Sequence, residues 1–111
     1  MGYTTATKND AIDALVGDAV WIVPCDGDPG TTGANVVPGI DPEETTWGAA
    51  SGGVKTGTQC AFPDAPAEHY THYAAFEDEA MTEYRFGWEL DPDITFGSPG
   101  TLYITPKVVF P

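Results

Sequence analysis

The sequence predicts a mainly β fold, an antiparallel β-sandwich with a short N-terminal helix, and three observations predict it. After residue 18, apolar and polar residues alternate at period two, the spacing of a strand with one face covered. The apolar runs return about every ten residues between clusters of turn formers, as they do in sandwiches. The 13 Gly and 10 Pro of the 111-residue chain leave little room for long helices. One core suffices at this length, so residues 1–111 read as a single domain, with a helix over about 5–16 and strands from about 19 onward.

The helix is expected from Thr5 to Val16, where Lys8, Ala11, Ile12, Leu15 and Val16 fall at helical spacing. Thr5 or Thr7 is suited to cap its start and Gly17 to end it. Ala19-Val20-Trp21-Ile22-Val23 reads as a central strand covered on both faces and stopped by Pro24. From Cys25 to Glu44 the chain reads as one long loop punctuated by Asp28-Pro29-Gly30, Gly33, Pro38-Gly39 and Asp41-Pro42. A connection of about 20 residues is long for a small domain, which marks this loop as the expected contact element.

Strand signals resume at Thr45-Thr46-Trp47. After the Gly52-Gly53 turn, Val54, Thr56, Thr58, Cys60 and Phe62 alternate with Lys55, Gly57, Gln59 and Ala61. Beyond the connector Pro63 to Pro66, His69 to Phe76 forms an aromatic strand. Tyr70, His72, Ala74 and Phe76 are expected on one face of it, and His69, Thr71, Tyr73 and Ala75 on the other. The acidic turn Glu77-Asp78-Glu79-Ala80 leads to Thr82 to Leu90, with Tyr84, Phe86, Trp88 and Leu90 inward. A turn at Asp91-Pro92-Asp93, the short piece Ile94-Thr95-Phe96 and a turn at Ser98-Pro99-Gly100 follow. The last strand places Leu102, Ile104, Val108 and Phe110 in and Tyr103, Thr105 and Lys107 out, while Pro106 and Pro111 suggest a sheet edge.

Charge limits the partners. Seventeen acidic residues against four basic ones give a net charge of −13. Such a surface repels nucleic acid, whose binding rests on Lys and Arg, and it repels an anionic membrane as well. No apolar run approaches the roughly 18 residues of a membrane span, and Gly2-Tyr3-Thr4-Thr5 after Met1 lacks the character of an export signal. A soluble, unexported chain is expected. Cys25 and Cys60, 35 positions apart, allow one disulfide but do not suggest a zinc site, and they read first as two free buried thiols of a reducing cytoplasm.

No group in the sequence calls for catalysis, and no catalytic, cofactor or metal residue is assigned. Asp26-Gly27-Asp28, Asp41 with Glu43 and Glu44, and Asp91 with Asp93 are acidic enough to test as calcium sites, but none has the spacing of a calcium loop. They read as solvated turns. His69, beside Glu68, and His72 are three apart on a strand and are expected to diverge. Trp21, Trp47 and Trp88 are the candidates for a sugar-stacking platform, although the inward parity of Tyr84, Phe86 and Trp88 favours core packing. There is no heptad seam, internal repeat or collagen-like tract from which a fibre shaft is built.

Taken in order, several segments resemble the small tail-fibre-like and decoration proteins of tailed bacteriophages of the actinobacterial type. They are Ala6 to Leu15, Asp28-Pro29-Gly30-Thr31-Thr32-Gly33-Ala34-Asn35, Thr46-Trp47-Gly48-Ala49-Ala50-Ser51-Gly52-Gly53, Thr71-His72-Tyr73-Ala74-Ala75-Phe76 and Phe86-Gly87-Trp88-Glu89-Leu90. The chain departs from that pattern at Glu77-Asp78-Glu79-Ala80, where family members usually carry a Gly-Gly turn, and in its acidity. The resemblance implies a non-enzymatic virion component; it carries over neither location nor partner surface. The leading expectation is a structural protein on the exterior of a tailed-phage virion, assembled in the bacterial host cytoplasm. Capsid decoration is favoured over a minor tail or tail-fibre role, because the chain lacks a shaft. The expected partners are major capsid or tail proteins, in a homo-oligomer or symmetric array, without nucleic acid, membrane or cofactor. The alternative is a tail adhesion module that binds a host receptor or glycan.

Overall fold

Helix α1 spans Thr5–Val16 in a computed structural model that describes residues 4–110. Its cap is Thr4, one residue before the pair expected, with the side-chain oxygen accepting from the Thr7 N–H at 3.1 Å. Gly17, at φ 51°, ends the helix and donates to the Asp13 carbonyl at 2.9 Å. Ile12 and Val16, one turn apart, are fully buried. The Arg85 side chain donates to the Leu15 carbonyl at 3.0 Å and to that of Ala14, which places a cation on the negative end of the helix dipole.

Eight strands follow among the described residues: β1 Trp21–Cys25, β2 Glu43–Glu44, β3 Val54–Thr56, β4 Cys60–Ala65, β5 His69–Phe76, β6 Tyr84–Thr95, β7 Gly100–Ile104 and β8 Lys107–Val109. Every ladder is antiparallel. The main sheet has the order β2-β1-β5-β6, and two separate ladders, β3-β8 and β4-β7, complete the fold. The chain is therefore mainly β and antiparallel with a short N-terminal helix, as the sequence predicts. The strands opposite the main sheet form two ladders and not one continuous sheet. Between them Thr58 turns away, its N–H donating to the Thr46 carbonyl at 3.0 Å, and Pro106, which lacks an N–H, lies between β7 and β8. The Pro106 carbonyl accepts from the Gly57 N–H at 2.8 Å.

One core collects Ile12 and Val16 of α1, Ile22 of β1, Phe62 of β4, Tyr70, Tyr73 and Ala75 of β5, Phe86 of β6, Leu102 and Ile104 of β7, and Val108 of β8. A second cluster lies on the other face of the main sheet: Val23 and Cys25 of β1 with Ala74 and Phe76 of β5, joined by Tyr84 and Val36. Both faces of β1 are covered, as its unbroken apolar run predicts.

The segment from Cys25 to Glu44 covers that second face. It is a folded cover and not a bare connection: Gly33 and Ala34 donate to the Pro29 carbonyl at 3.0 Å, Asp26 donates to Asn35 at 3.1 Å, and Val36 bridges Cys25. Pro29 is buried against Gly87, where an added Cβ would fall 2.0 Å from its Cγ. Val37 and Ile40 return to the main core.

Several boundaries differ from expectation. Pro24 does not stop β1; it lies inside the strand opposite Tyr73, and its carbonyl accepts from Val37 at 3.2 Å. The strand expected at Thr45 to Trp47 is Glu43–Glu44 instead, and Trp47 makes a lone bridge to Gly57. The alternating run Val54 to Phe62 divides into β3 and β4, and β4 continues through Pro63 to Ala65 by a register shift. The expected turn at Asp91-Pro92-Asp93 is part of β6, where Leu90 to Asp93 bulge out opposite Thr71 alone. Register shifts also alter parity. Tyr73 joins Tyr70 in the main core, and Tyr84 turns to the second cluster, away from Phe86 and Trp88. The expectations for Met1 to Tyr3 and Pro111 lie outside the described residues.

Candidate interaction groove

A concavity lies where β6 meets β7 and β8. It has a volume of about 630 Å³, with Tyr73 as floor, Trp88, Glu89 and Ile94 on one wall and Tyr103 and Val109 on the other. Three features of the sequence build it. The period-two alternation of β6 puts Trp88 on the core side, but β6 is the outermost strand of its sheet, so the ring is only half-buried. The bulge from Leu90 to Asp93 carries the strand outward and brings Ile94 back to the same hollow. On the other side, the outward alternation of β7 and β8 presents Tyr103 and Val109 to solvent.

The floor is fixed. The Tyr73 hydroxyl donates to the Lys107 carbonyl at 3.1 Å, which ties the start of β8 to the main sheet. Burial pushes the Tyr73 hydroxyl far above its ordinary pKa, so it stays a neutral donor. The Tyr73 ring meets Phe86 edge-on at 6.1 Å and 78°. Glu89, Asp91 and Lys107 are the charged groups of the rim.

The other residues singled out in the sequence are scattered. Asp28 accepts from the Gly30 N–H at 2.8 Å, capping its own turn as expected. Asp93 lies 3.4 Å from His69 Nε2, whereas Asp91 turns to the groove. His72 bonds to the Thr71 hydroxyl at 2.8 Å, so the two histidines have separate partners. Among the described residues no three His, Cys, Asp or Glu side chains stand close enough to hold a metal ion. In the acidic turn, Asp78 accepts from the Thr82 hydroxyl and from the amides of Glu83 and Thr82. These bonds, the hydroxyl first, hold its carboxyl below the usual value. Cys25 and Cys60 are buried free thiols in different clusters. Burial, with the Asp26 charge second, pushes the Cys25 thiol up to about 12.

Of the three tryptophans, Trp21 packs on the second cluster and Trp47 is anchored inward, its Nε1 donating to the Ala19 carbonyl at 2.8 Å. Trp88 alone lines the groove. The alternation of the last strand places Tyr103 outward, as it is found, but nothing in that pattern links it to Trp88 or Val109. The signal available was the return of apolar residues at Ile94 and Phe96 just after the Asp-Pro-Asp stretch.

Compared with known proteins, the chain matches no protein-family model, and no curated protein is similar to it.

Proposed function

We propose that the chain is a non-enzymatic structural component of a tailed-phage virion, mounted on the exterior of the particle among major capsid or tail proteins. One observation supports this reading beyond the resemblance itself. The segments that carry the resemblance are far apart in sequence, yet they pack on one another. Pro29 lies on Gly87, Gly33 faces Tyr84 and Phe76, Trp47 meets Phe86 at 6.3 Å, and His72 pairs with Glu89. These segments thus belong to one three-dimensional unit. Decoration of the capsid ranks ahead of a tail role, because the chain has no heptad or repeat from which a shaft is made.

A glycan-binding adhesion module is the second reading, and Trp88 and Tyr103 in the groove favour it. It ranks lower because the other large rings, Tyr70, Tyr73, Phe62 and Phe86, fill the core, and Ile94, Ile104 and Val109 make much of the groove aliphatic. The test is purification of particles from an infected host, followed by mass spectrometry and labelling of the chain in intact virions. The expected result is a stoichiometric component on the particle surface. Its absence from purified particles overturns the proposal, and labels confined to the tail tip would favour adhesion.

A further inference from the structure

We infer that the groove between β6 and the β7–β8 segment receives an extended segment of a partner protein, apolar and basic in alternation, which adds as a strand to the outer edge of β6. The inference rests on the groove and not on the virion reading.

Three independent observations lead to it. First, the large hydrophobic side chains that stand exposed among the described residues are Tyr103, at 55%, and Val109, at 40%, and both line this one hollow. Exposed apolar groups scattered singly need no explanation, but convergence on a concavity marks a contact surface. Second, β6 ends the sheet order, and among the described residues no other element bonds to its backbone from Arg85 to Thr95 on the side away from β5. The regular part of this edge, Phe86 to Glu89 ahead of the bulge, is a template for main-chain pairing. Third, the wall that carries this edge also carries Glu89 and Asp91, against the single cation Lys107 on the rim, so the rim is net negative.

The charge selects the occupant. A second copy would bring another −13 to a surface already at −13 and is repelled. A basic segment is attracted, and Arg side chains can lie over Trp88 or Tyr103 as well as meet the carboxylates. Because side chains alternate along a strand, one face of the segment sends apolar groups into the hollow while the other offers its cations to the rim. A saccharide would use the rings and carboxylates but has no use for the open backbone edge.

The test uses the isotope-labelled full chain and follows its amide resonances during titration with four probes. These are a peptide of alternating valine and arginine, its valine–glutamate counterpart, the arginine peptide N-methylated on every amide, and a neutral chitin oligosaccharide. The arginine peptide is expected to shift amides of Trp88 to Ile94 and Tyr103 to Val109 and to bind at least about fivefold more weakly in high salt. The other three are expected to leave these resonances unmoved. Tyr103→Ser and Val109→Ser, at exposed positions, should each weaken the arginine peptide by roughly tenfold with the unfolding midpoint unchanged. No response to the arginine peptide overturns the inference, as does an equal response to the glutamate or N-methylated peptide. Binding of the oligosaccharide at these residues in place of the peptide, or self-association through them, overturns it as well.

Discussion

Phe86 and Trp88 lie two residues apart on one side of β6, and their surroundings differ. Phe86 is 5% exposed and touches Trp47 and Tyr73, whereas Trp88 is half-buried at the groove. Phe86→Ala should cost about 3–5 kcal/mol, as large aromatic deletions in cores do. Trp88→Ala should cost roughly half as much, in proportion to the apolar area it buries. Glu89→Ala should cost little. Urea unfolding of the three variants checks the order, and equal losses would mean that the parity of β6 is misassigned. Cys25 makes a second residue-level prediction. Its unfolded thiol ionises near 9.0, while the folded one holds its proton up to about 12. The folded state therefore binds the proton more tightly, so this contribution to stability is complete below pH 9 and is lost as pH rises toward 12. Tyr84, in the same cluster, is raised to about 12 mainly by burial, with the Cys25 and Asp28 charges adding, and acts in the same direction. Stability measured by urea should fall between pH 9 and about 12, and Cys25→Ala should lose less over that interval.

Helix α1 could be read from the sequence to the residue because its determinants are local: a 3.6-residue apolar spacing, a threonine start and a glycine stop. Strand β6 could not. Its parity changes at Arg85 and its bulge at Leu90 to Asp93 are set by the partner strand β5, and no local pattern records a cross-strand register. The cover from Cys25 to Glu44 was recognised as unusual for its length, but its apolar anchors Pro29, Val36 and Val37 have no period, so their burial left no trace. The candidate groove was hidden for the same reason as the bulge. The cover also yields a test. Gly87→Ala would place a methyl 2.0 Å from Pro29 Cγ and 2.9 Å from the Tyr84 hydroxyl, which itself donates to Gly30 at 2.8 Å. The cover must then lift, at a cost of about 1–3 kcal/mol. Amide exchange at Gly33 and Ala34 should accelerate far more than at Ile22 or Ala75. Uniform acceleration would show that the cover and the sheet open together.

For the molecule as a whole, 17 acidic residues meet 4 basic ones, and the Lys or Arg salt bridge found among the described residues is Lys55–Asp13 at 2.8 Å. Screening therefore removes more repulsion than attraction. Adding salt to about 0.5 M, where charges are screened within a few ångströms, should raise the thermal midpoint by about 2–5 °C. A fall would show that the paired charges outweigh the rest. The outer edge of β6 bears on a different hazard. If many copies are held side by side at high local density, an open strand edge invites them to zip together into fibrils. The stretch Asp91-Pro92-Asp93 interrupts that edge with two negative charges and a residue without an N–H, and the outward bend there breaks its straightness. The same few residues that shape the groove thus limit edge-to-edge pairing between copies, while the regular stretch Phe86 to Glu89 ahead of them stays open to a basic segment.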